Sequence, residues 1–298
     1  MALLAGSALA GAQNLSQGTV VVTVLPKHEG EVPLSVAQQD LSAKVDGKNA
    51  EVTLWRPYAA SDHVELVLLL DDGSRSSLGR QISDIEQFVK TLPPNVRVAI
   101  AYMQNGSAIF ETPLSTDPAV VLKGLHLPSG GPGSSASPYF CLSELARHWP
   151  SNDTTARREV VMVTDGVDLY QMGFDPDNPH MQAAIEDAAR AHLIVDSIYW
   201  QMEGRPGPRY GESFVGQGML QIVAEATGGK SFYMGSGNPV SFAPYLNEMQ
   251  RRFRNQYVLG FTAPAGRKPS VEELRIKLRV SGADVDVPHK VWMTPVAK

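Results

Sequence analysis

The spacing of hydrophobic positions changes twice along this chain. The run TVVVTVLP at 19–26 is β-branched and ends at proline. The segment 41–57 alternates on both sides of Asp46-Gly47, a dipeptide typical of hairpin turns. From Val64 onward, continuous apolar runs alternate with helical periodicity, and short β-type runs return after Gln256. The pattern predicts β structure at both ends and an α/β block between them.

Strand and helix patterns alternate through the central block. Its strand-like runs are VELVLLL, VRVAIAYM, EVVMVTDG, LIVDSIYW and the short KSFYM. The helix-like segments are GRQISDIEQFVKTL, DPAVVLKGL, PYFCLSELARHW, HMQAAIEDAARAH, GMLQIVAEATGG and VSFAPYLNEMQRRFRNQ. Continuous apolar strands separated by helices indicate strands that are buried on both faces. We therefore predict an α/β fold, a doubly wound and mostly parallel sheet with helices on both sides.

The two β-rich ends raise the question of what each packs against. An isolated hairpin is only marginally stable, and the ends of compact domains often lie close together. We therefore expect the segments 18–58 and 256–298 to join in one β-sandwich that flanks an α/β domain at 62–255.

Composition and charge exclude some classes of partner. The chain has 298 residues, 43% hydrophobic and 19% charged, with a formal net charge of -5. No basic stripe is present, so nucleic acid is excluded as a partner. The single cysteine, Cys141, cannot form an internal disulfide. It lies in a predicted amphipathic helix, where a small buried apolar residue is expected.

The first residues, MALLAGSALAGAQ, are small and apolar, and Ala10-Gly11-Ala12 fits a small-x-small cleavage site. We interpret 1–13 as the remnant of a signal peptide. No segment reaches the roughly 18 apolar residues of a membrane helix. The prediction is an exported protein, periplasmic or secreted, without a stable membrane span.

Candidate chemistry follows two of the predicted strands. Asp72, Ser74 and Ser76 form D-x-S-x-S after the first buried strand, and Asp165 ends a later one in TDG. Because the carboxyl ends of parallel strands share one edge, these side chains are expected to converge. Carboxylate and hydroxyl oxygens suit a hard divalent cation. The alternative is structural, since serine and aspartate also serve as turn and N-cap residues. Asp72 is the ligand candidate because it keeps step with Ser74 and Ser76, and Asp71 is interpreted as its neighbour and as a partner for Arg75.

These motifs together resemble a known family. D-x-S-x-S after an apolar strand, followed by TDG and then by LQIVAEATGGKSFYM, is similar to von Willebrand factor A (VWA) domains with a metal-ion-dependent adhesion site (MIDAS). RNQYVLGF and DLSAKVDGKNAEVTLW resemble the bacterial exported relatives of that family. The resemblance covers roughly residues 18–298 and implies a VWA/Rossmann-like sheet.

The resemblance also implies a ligand set. It assigns the cation to Asp72, Ser74, Ser76 and Asp165, with Mg²⁺ first and Mn²⁺ or Ca²⁺ as alternatives. The family's remaining ligand is a threonine in a glycine-rich loop, which here reads PSGGPGSSASPYF. Ser135 is the candidate in that loop, and Ser134 and Ser137 are its alternatives.

Three functions are compatible with this set. The first is a protein-binding module whose cation coordinates a partner carboxylate, with Arg75, Arg209 and Tyr210 as partner contacts. The second is a scaffold with a degenerate, metal-free site. The third, a metal-assisted hydrolase, lacks G-x-S-x-G, a P-loop, HExxH and a paired histidine pattern. We predict a binding module and no enzyme activity, and we interpret Asp168 as a solvated loop residue.

Overall fold

The computed structural model describes residues 15–28, 35–131, 133–202, 212–235, 237–264 and 266–296, without the side chains of 76 and 212. The proposed leader at 1–13 and the predicted contacts Arg209 and Tyr210 lie outside the described residues. The strands are β1 (Leu15–Pro26), β2 (Leu41–Val45), β3 (Lys48–Pro57), β4 (Val64–Asp71), β5 (Val96–Gln104), β6 (Ser107–Phe110), β7 (Arg157–Thr164), β8 (Leu193–Tyr199), β9 (Ser231–Phe232), β10 (Gln256–Pro264), β11 (Ser270–Leu278), β12 (Ala283–Asp286) and β13 (Lys290–Pro295). The α-helices are α1 (Ile82–Thr91), α2 (Pro118–Val121), α3 (Pro138–Arg147), α4 (Pro179–Arg190), α5 (Glu212–Thr227) and α6 (Ala243–Phe253).

The central block forms a six-stranded sheet in the order β6-β5-β4-β7-β8-β9. All neighbours are parallel except β5 and β6, which are antiparallel. Every residue of β4 is buried, as expected for a strand covered on both faces. The predicted mixed α/β fold with a parallel sheet is therefore present.

Helices cover both faces of this sheet. On one face, α1 and α6 contribute Phe88 and Met249 to a core with Leu68 and Ile100. On the other face, α3, α4 and α5 contribute Leu142, Met181 and Met219 among others to a second core. Because the helices cover the two faces of the sheet, the loops that follow the central strands lie uncovered at its carboxyl edge.

The terminal segments meet, but they do not form the expected sandwich. Six strands close into an antiparallel barrel, β1-β10-β3-β2-β11-β13, and β12 adds to one end of β1. Closure occurs because β1 pairs with β10 along 15–23 and also with β13 at 16–17. Gly18 permits this, since a Cβ at 18 would lie 2.6 Å from the Met293 sulfur. A ring of six strands satisfies the backbone edges that a sandwich leaves open.

Among the described residues, no helix has the length and apolar character needed to cross a membrane.

Candidate functional site

The candidate site lies where β4 and β7 end side by side. Leu70 pairs with Val163, so the next residues, Asp71 and Thr164, are neighbours. Oδ2 of Asp71 accepts a hydrogen bond from Thr164 Oγ1 at 2.8 Å, and its Oδ1 accepts one from Gly73 N at 3.0 Å. Both side chains are buried. Asp71, for which the sequence predicts only a pairing with Arg75, therefore joins the two strand ends.

Asp72 is directed to the other side of β4, toward β5. Its Oδ2 accepts a hydrogen bond from Gln104 Nε2 at 3.0 Å, and its Oδ1 accepts one from Ser129 N at 2.9 Å. The residue is buried. Both oxygens of this predicted ligand thus already receive an N–H donor from the protein.

The D-x-S-x-S loop after β4 folds as a 3₁₀ helix, Asp72–Gln81, which is kinked at Arg75 and held by its own backbone. The Ser74 hydroxyl is buried and donates to the carbonyl oxygen of Asp71 at 2.7 Å. Arg75 has a φ of 51°, a left-handed conformation that side chains rarely adopt. Its exposed guanidinium donates through Nε to the Gly130 carbonyl at 3.1 Å. This contact fastens the D-x-S-x-S loop to the glycine-rich loop. The Ser76 side chain, a predicted ligand, lies outside the described part of the chain.

The glycine-rich loop brings Ser134 to Asp72. A Cβ at residue 130 would lie 2.4 Å from Ser134 Oγ and 2.6 Å from Asp72 Oδ2. Glycine at 130 therefore keeps open a space that both oxygens border. Ser134 Oγ now donates to the Gly131 carbonyl at 2.6 Å. Of the three candidate serines, Ser134 is thus shown next to Asp72.

The other two serines are held differently. Ser135 is buried, and its carbonyl oxygen accepts from Gly106 N at 3.0 Å. The Ser137 hydroxyl is buried and has no hydrogen-bond partner among the described residues.

Asp165 continues directly from β7 and is nearly fully buried. Its Oδ1 accepts from Val167 N at 3.0 Å. Helix α5 packs tightly on it, since a Cβ at Gly216 would lie 1.9 Å from the Asp165 carbonyl oxygen. Nearby, Tyr139 donates to the Gly166 carbonyl at 2.7 Å, and burial, followed by the charges of Asp165 and Asp168, raises the pKa of Tyr139.

The donor types at this edge fit a hard cation, since the side chains offer carboxylate and hydroxyl oxygens. Within the described residues, no three acidic, histidine or cysteine side chains are arranged to hold a metal ion. A site here would therefore depend on hydroxyls as well as on carboxylates. The hydroxyls of Ser74 and Ser134 each donate to a carbonyl oxygen, which leaves the lone pairs of both hydroxyl oxygens for a cation.

Asp168 is not the solvated loop residue that the sequence indicated. It is 2% exposed, and its Oδ2 lies 2.7 Å from Nδ1 of His180 at the start of α4. Asn178 donates to the same oxygen at 3.3 Å, and Tyr170 N donates to Oδ1 at 3.0 Å. The His180 ring also packs on Phe140, at 4.4 Å between centroids. Sequence reasoning missed this pair because no motif links the two positions.

Large apolar side chains are exposed on the loops and helix start around the site. We call them the apolar rim: Leu127, Leu169, Tyr170, Met172, Phe174 and Phe214. Tyr170, Met172, Phe174 and Phe214 are each more than half exposed. The rim contacts the glycine-rich loop and α5, since Cβ atoms at Gly133 and Gly218 would lie 2.7 Å and 2.8 Å from Leu169 and Phe174. An exposed apolar group of this size around a polar centre is typical of an interaction surface.

Comparison with known proteins gives likenesses of fold only. No known family model matches the chain, and no curated protein is significantly similar to it. Solved structures to which it is similar include von Willebrand factor A domain proteins. One is the VWA domain of SpRpn10, at 12% identity and a TM-score of 0.43, over 62% of this chain and 95% of that one.

Two further solved structures have a similar sequence identity and TM-score to this chain. Proximal thread matrix protein 1 from the mussel byssus, with a zinc-occupied MIDAS motif, is 14% identical at a TM-score of 0.44, over 69% of this chain and 48% of that one. An aerotolerance-related membrane protein from Bacteroides fragilis is 16% identical at a TM-score of 0.45, over 64% of this chain and 98% of that one. The function is therefore argued from the residues themselves.

Proposed function

We propose that this protein is an exported binding module that engages a partner protein at the carboxyl edge of its sheet, with a divalent cation held by the oxygens gathered there. Asp71, Asp72, Ser74, Ser134 and Asp165 are the side chains available for it. The cation would supply an open coordination position for a carboxylate of the partner. Mg²⁺ is the first candidate because the donors are oxygens.

The observation that carries this proposal is the apolar rim around a polar, acidic centre. Exposed Met172 and Phe174 lie on the loop that Asp165 begins, and exposed Phe214 lies at the start of α5, the helix that packs on Asp165 through Gly216. Aromatic residues and methionine are enriched at protein interfaces, so these exposed side chains favour a surface that is buried against a partner protein. Arg75, exposed at the tip of its loop, remains a candidate contact for the partner.

A metal-free scaffold is the second candidate, and the hydrogen bonds of Asp72 favour it. Gln104 and Ser129 already donate to its two oxygens, which compensates part of the buried charge without a cation. In this version the rim alone recognises the partner.

We propose no enzymatic role. The described contacts of the His180 ring are with Asp168, Phe140 and Tyr170, and they include no serine or cysteine side chain that the ring could activate. A general base needs a nucleophile or a substrate proton within hydrogen-bond reach.

Titration calorimetry and thermal unfolding with Mg²⁺, Mn²⁺ and Ca²⁺ test the cation. We expect saturable binding and a higher Tm in the wild type, and loss of both in Asp72→Ala and in Asp71→Asn. Asp117→Ala, which removes an exposed N-cap far from the edge, is the matched control and keeps the cation response. Absence of heat and of stabilisation with all three ions would leave the scaffold as the function.

Partner binding is tested separately, by capture from a secreted or periplasmic extract with and without a chelator. Chelator-sensitive capture supports the cation-dependent module. Capture that resists the chelator but is lost in Phe214→Ser supports the scaffold. A metal-dependent turnover in a broad hydrolase screen would contradict both.

A further inference from the structure

A cavity of about 530 Å³ lies between the barrel and the α/β domain. Strands β1, β3, β10 and β13 line it from the barrel, and the start of β7, the end of α4 and the start of β8 line it from the other domain. Its volume is within the range of sites that hold small organic ligands, and boundaries between domains are frequent positions for them.

The cavity is lined by cationic and not by anionic side chains. Arg56, Arg157 and Lys290 contribute to its wall together with His192, whereas the described lining includes no aspartate or glutamate. Two of these cations are paired outside the wall. Arg56 contacts Asp62 at 2.8 Å, and Lys290 contacts Glu273 at 2.6 Å. The charge left for a ligand is therefore that of Arg157.

Arg157 is buried yet poorly satisfied. It is 5% exposed, and its Nε has no hydrogen-bond partner among the described residues. The guanidinium lies over the ring of Tyr58 at 4.8 Å and near Phe253 at 5.8 Å. Nε is 3.1 Å from Oε1 of Glu159, but the geometry gives no hydrogen bond, and both oxygens of Glu159 are also without a partner in the described part of the chain.

The charge of Arg157 is also poorly compensated. Burial raises the pKa of Glu159 to about 8, so near neutral pH this carboxyl keeps its proton. Burial lowers the pKa of Arg157 as well, but a guanidinium stays protonated in proteins. A buried cation with an unused donor, here Nε, costs free energy unless an anion reaches it.

We infer that the cavity is a binding site for a small organic anion, a carboxylate with an aromatic or aliphatic body, whose charged end meets Arg157 and whose body lies against Tyr58 and Trp292. A guanidinium presents its N–H groups in a fork that matches a carboxylate. Burial lowers the pKa of His192, so its ring adds little positive charge to the wall near neutral pH. The apolar wall includes Val258, Phe261 and Val291.

This site is independent of the carboxyl edge. Arg157 begins β7 and Thr164 ends it, so the two regions are separated by the length of the strand, about 23 Å. Binding of the anion should therefore persist in a chelator, and its failure leaves the cation proposal intact.

Calorimetry on the full chain with 4-phenylbutyrate and its neutral amide, 4-phenylbutyramide, tests the inference. A charge-assisted hydrogen bond contributes about 1.5–3 kcal/mol, so we expect the acid to bind roughly tenfold to a hundredfold more tightly than the amide. In Arg157→Gln this preference should disappear. The exposed Arg275→Gln on β11 should keep it.

Because Arg157 is buried, a second variant guards against a loss of fold. Ala189→Trp fills the cavity from α4 and leaves Arg157 in place, and it should abolish binding of the acid while circular dichroism stays unchanged. Equal affinity for acid and amide, or undiminished binding in Ala189→Trp, would overturn the inference. Saturable binding of inorganic phosphate with no binding of 4-phenylbutyrate would overturn the organic part of it.

Discussion

The Asp71 carboxylate and the Thr164 hydroxyl lie 2.8 Å apart and join the ends of β4 and β7. Both residues are buried, so water cannot replace the bond if one partner is removed. The two strand ends that carry the candidate ligands are thus fixed relative to one another by side chains as well as by the sheet.

Thr164→Val tests this bond directly. Valine keeps the shape of threonine but removes the hydroxyl that donates to Asp71 Oδ2, so we expect unfolding to require about 1–3 kcal/mol less free energy. Urea denaturation measures the difference. Thr53→Val, at an exposed position of β3, should stay within about 0.5 kcal/mol of the wild type. Equal effects of the two changes would contradict the assigned role.

Gly216→Ala should disturb the position of Asp165. The added Cβ would lie 1.9 Å from the Asp165 carbonyl oxygen, so α5 has to move away from β7, at a cost of about 1–3 kcal/mol. Gly173→Ala is the control because nothing lies within 4 Å of its Cβ. In Gly216→Ala the Tm and the response to Mg²⁺ should both fall, and in Gly173→Ala neither should change. A Gly216→Ala protein as stable as Gly173→Ala would show that α5 does not pack on Asp165.

Glu159 gives the protein a pH dependence of defined sign. Burial raises the pKa of Glu159 to about 8, so the folded state holds a proton that the unfolded state releases. The contribution of Glu159 to the free energy of unfolding should therefore be greatest below about pH 4.3, and it should decrease as the pH rises to about 8. The fall can amount to roughly 5 kcal/mol.

Urea denaturation between these pH values, on the wild type and Glu159→Gln, measures that contribution. The variant should show a smaller slope, although burial also raises the pKa of Asp196 and leaves a dependence of the same sign. Glu51→Gln, exposed on β3, should keep the slope of the wild type. A rise in stability from pH 5 to 8 that Glu159→Gln abolishes would refute the assignment.

The apolar rim predicts a separation of binding from stability. Met172→Ser and Phe214→Ser replace exposed side chains, so each should change stability by no more than about 0.5 kcal/mol. Both should reduce capture of the partner. Ile109→Ser, at an exposed apolar position of β6 outside the rim, should capture normally. If all three variants capture alike, recognition does not involve the rim.

Cys141 should be unreactive in the folded protein. The thiol is fully buried, and burial raises its pKa well above the usual range, so little thiolate is present. Alkylation by iodoacetamide, followed by mass spectrometry, should be slow in buffer and complete in denaturant. Comparable rates in both conditions would show that the α3 core opens readily.

Much of the fold could be predicted because it depends on local patterns. The apolar runs of β4 and β7 and the Asp117 cap of α2 follow from residue types close in sequence, and the Asp117 side chain does accept from Ala119 N. Strand β6 was missed although its signal was present. Asn105-Gly106, both at positive φ, is a hairpin dipeptide that joins β5 to β6.

The candidate site was harder to predict because a sequence motif gives the spacing of residues but not the direction in which their side chains point. D-x-S-x-S selects Asp72, but the strand register places Asp71 beside Thr164 and directs Asp72 to Gln104. The Asp168–His180 pair depends on how the loop after β7 folds onto α4, and no spacing rule contains that. The closed barrel likewise depends on pairing between residues more than 200 positions apart.

That distant pairing has a consequence for how the chain matures. During synthesis β1 emerges first, and its main partner β10 follows only after the whole α/β domain. Until then the N-terminal strands expose unpaired backbone, which is prone to association with other chains. The α/β domain, with its shorter-range contacts, is expected to fold before them. Closure of the barrel is then the last step of folding. A chain that stops before β10 would have a folded α/β domain preceded by unpaired strands that are prone to association with other chains.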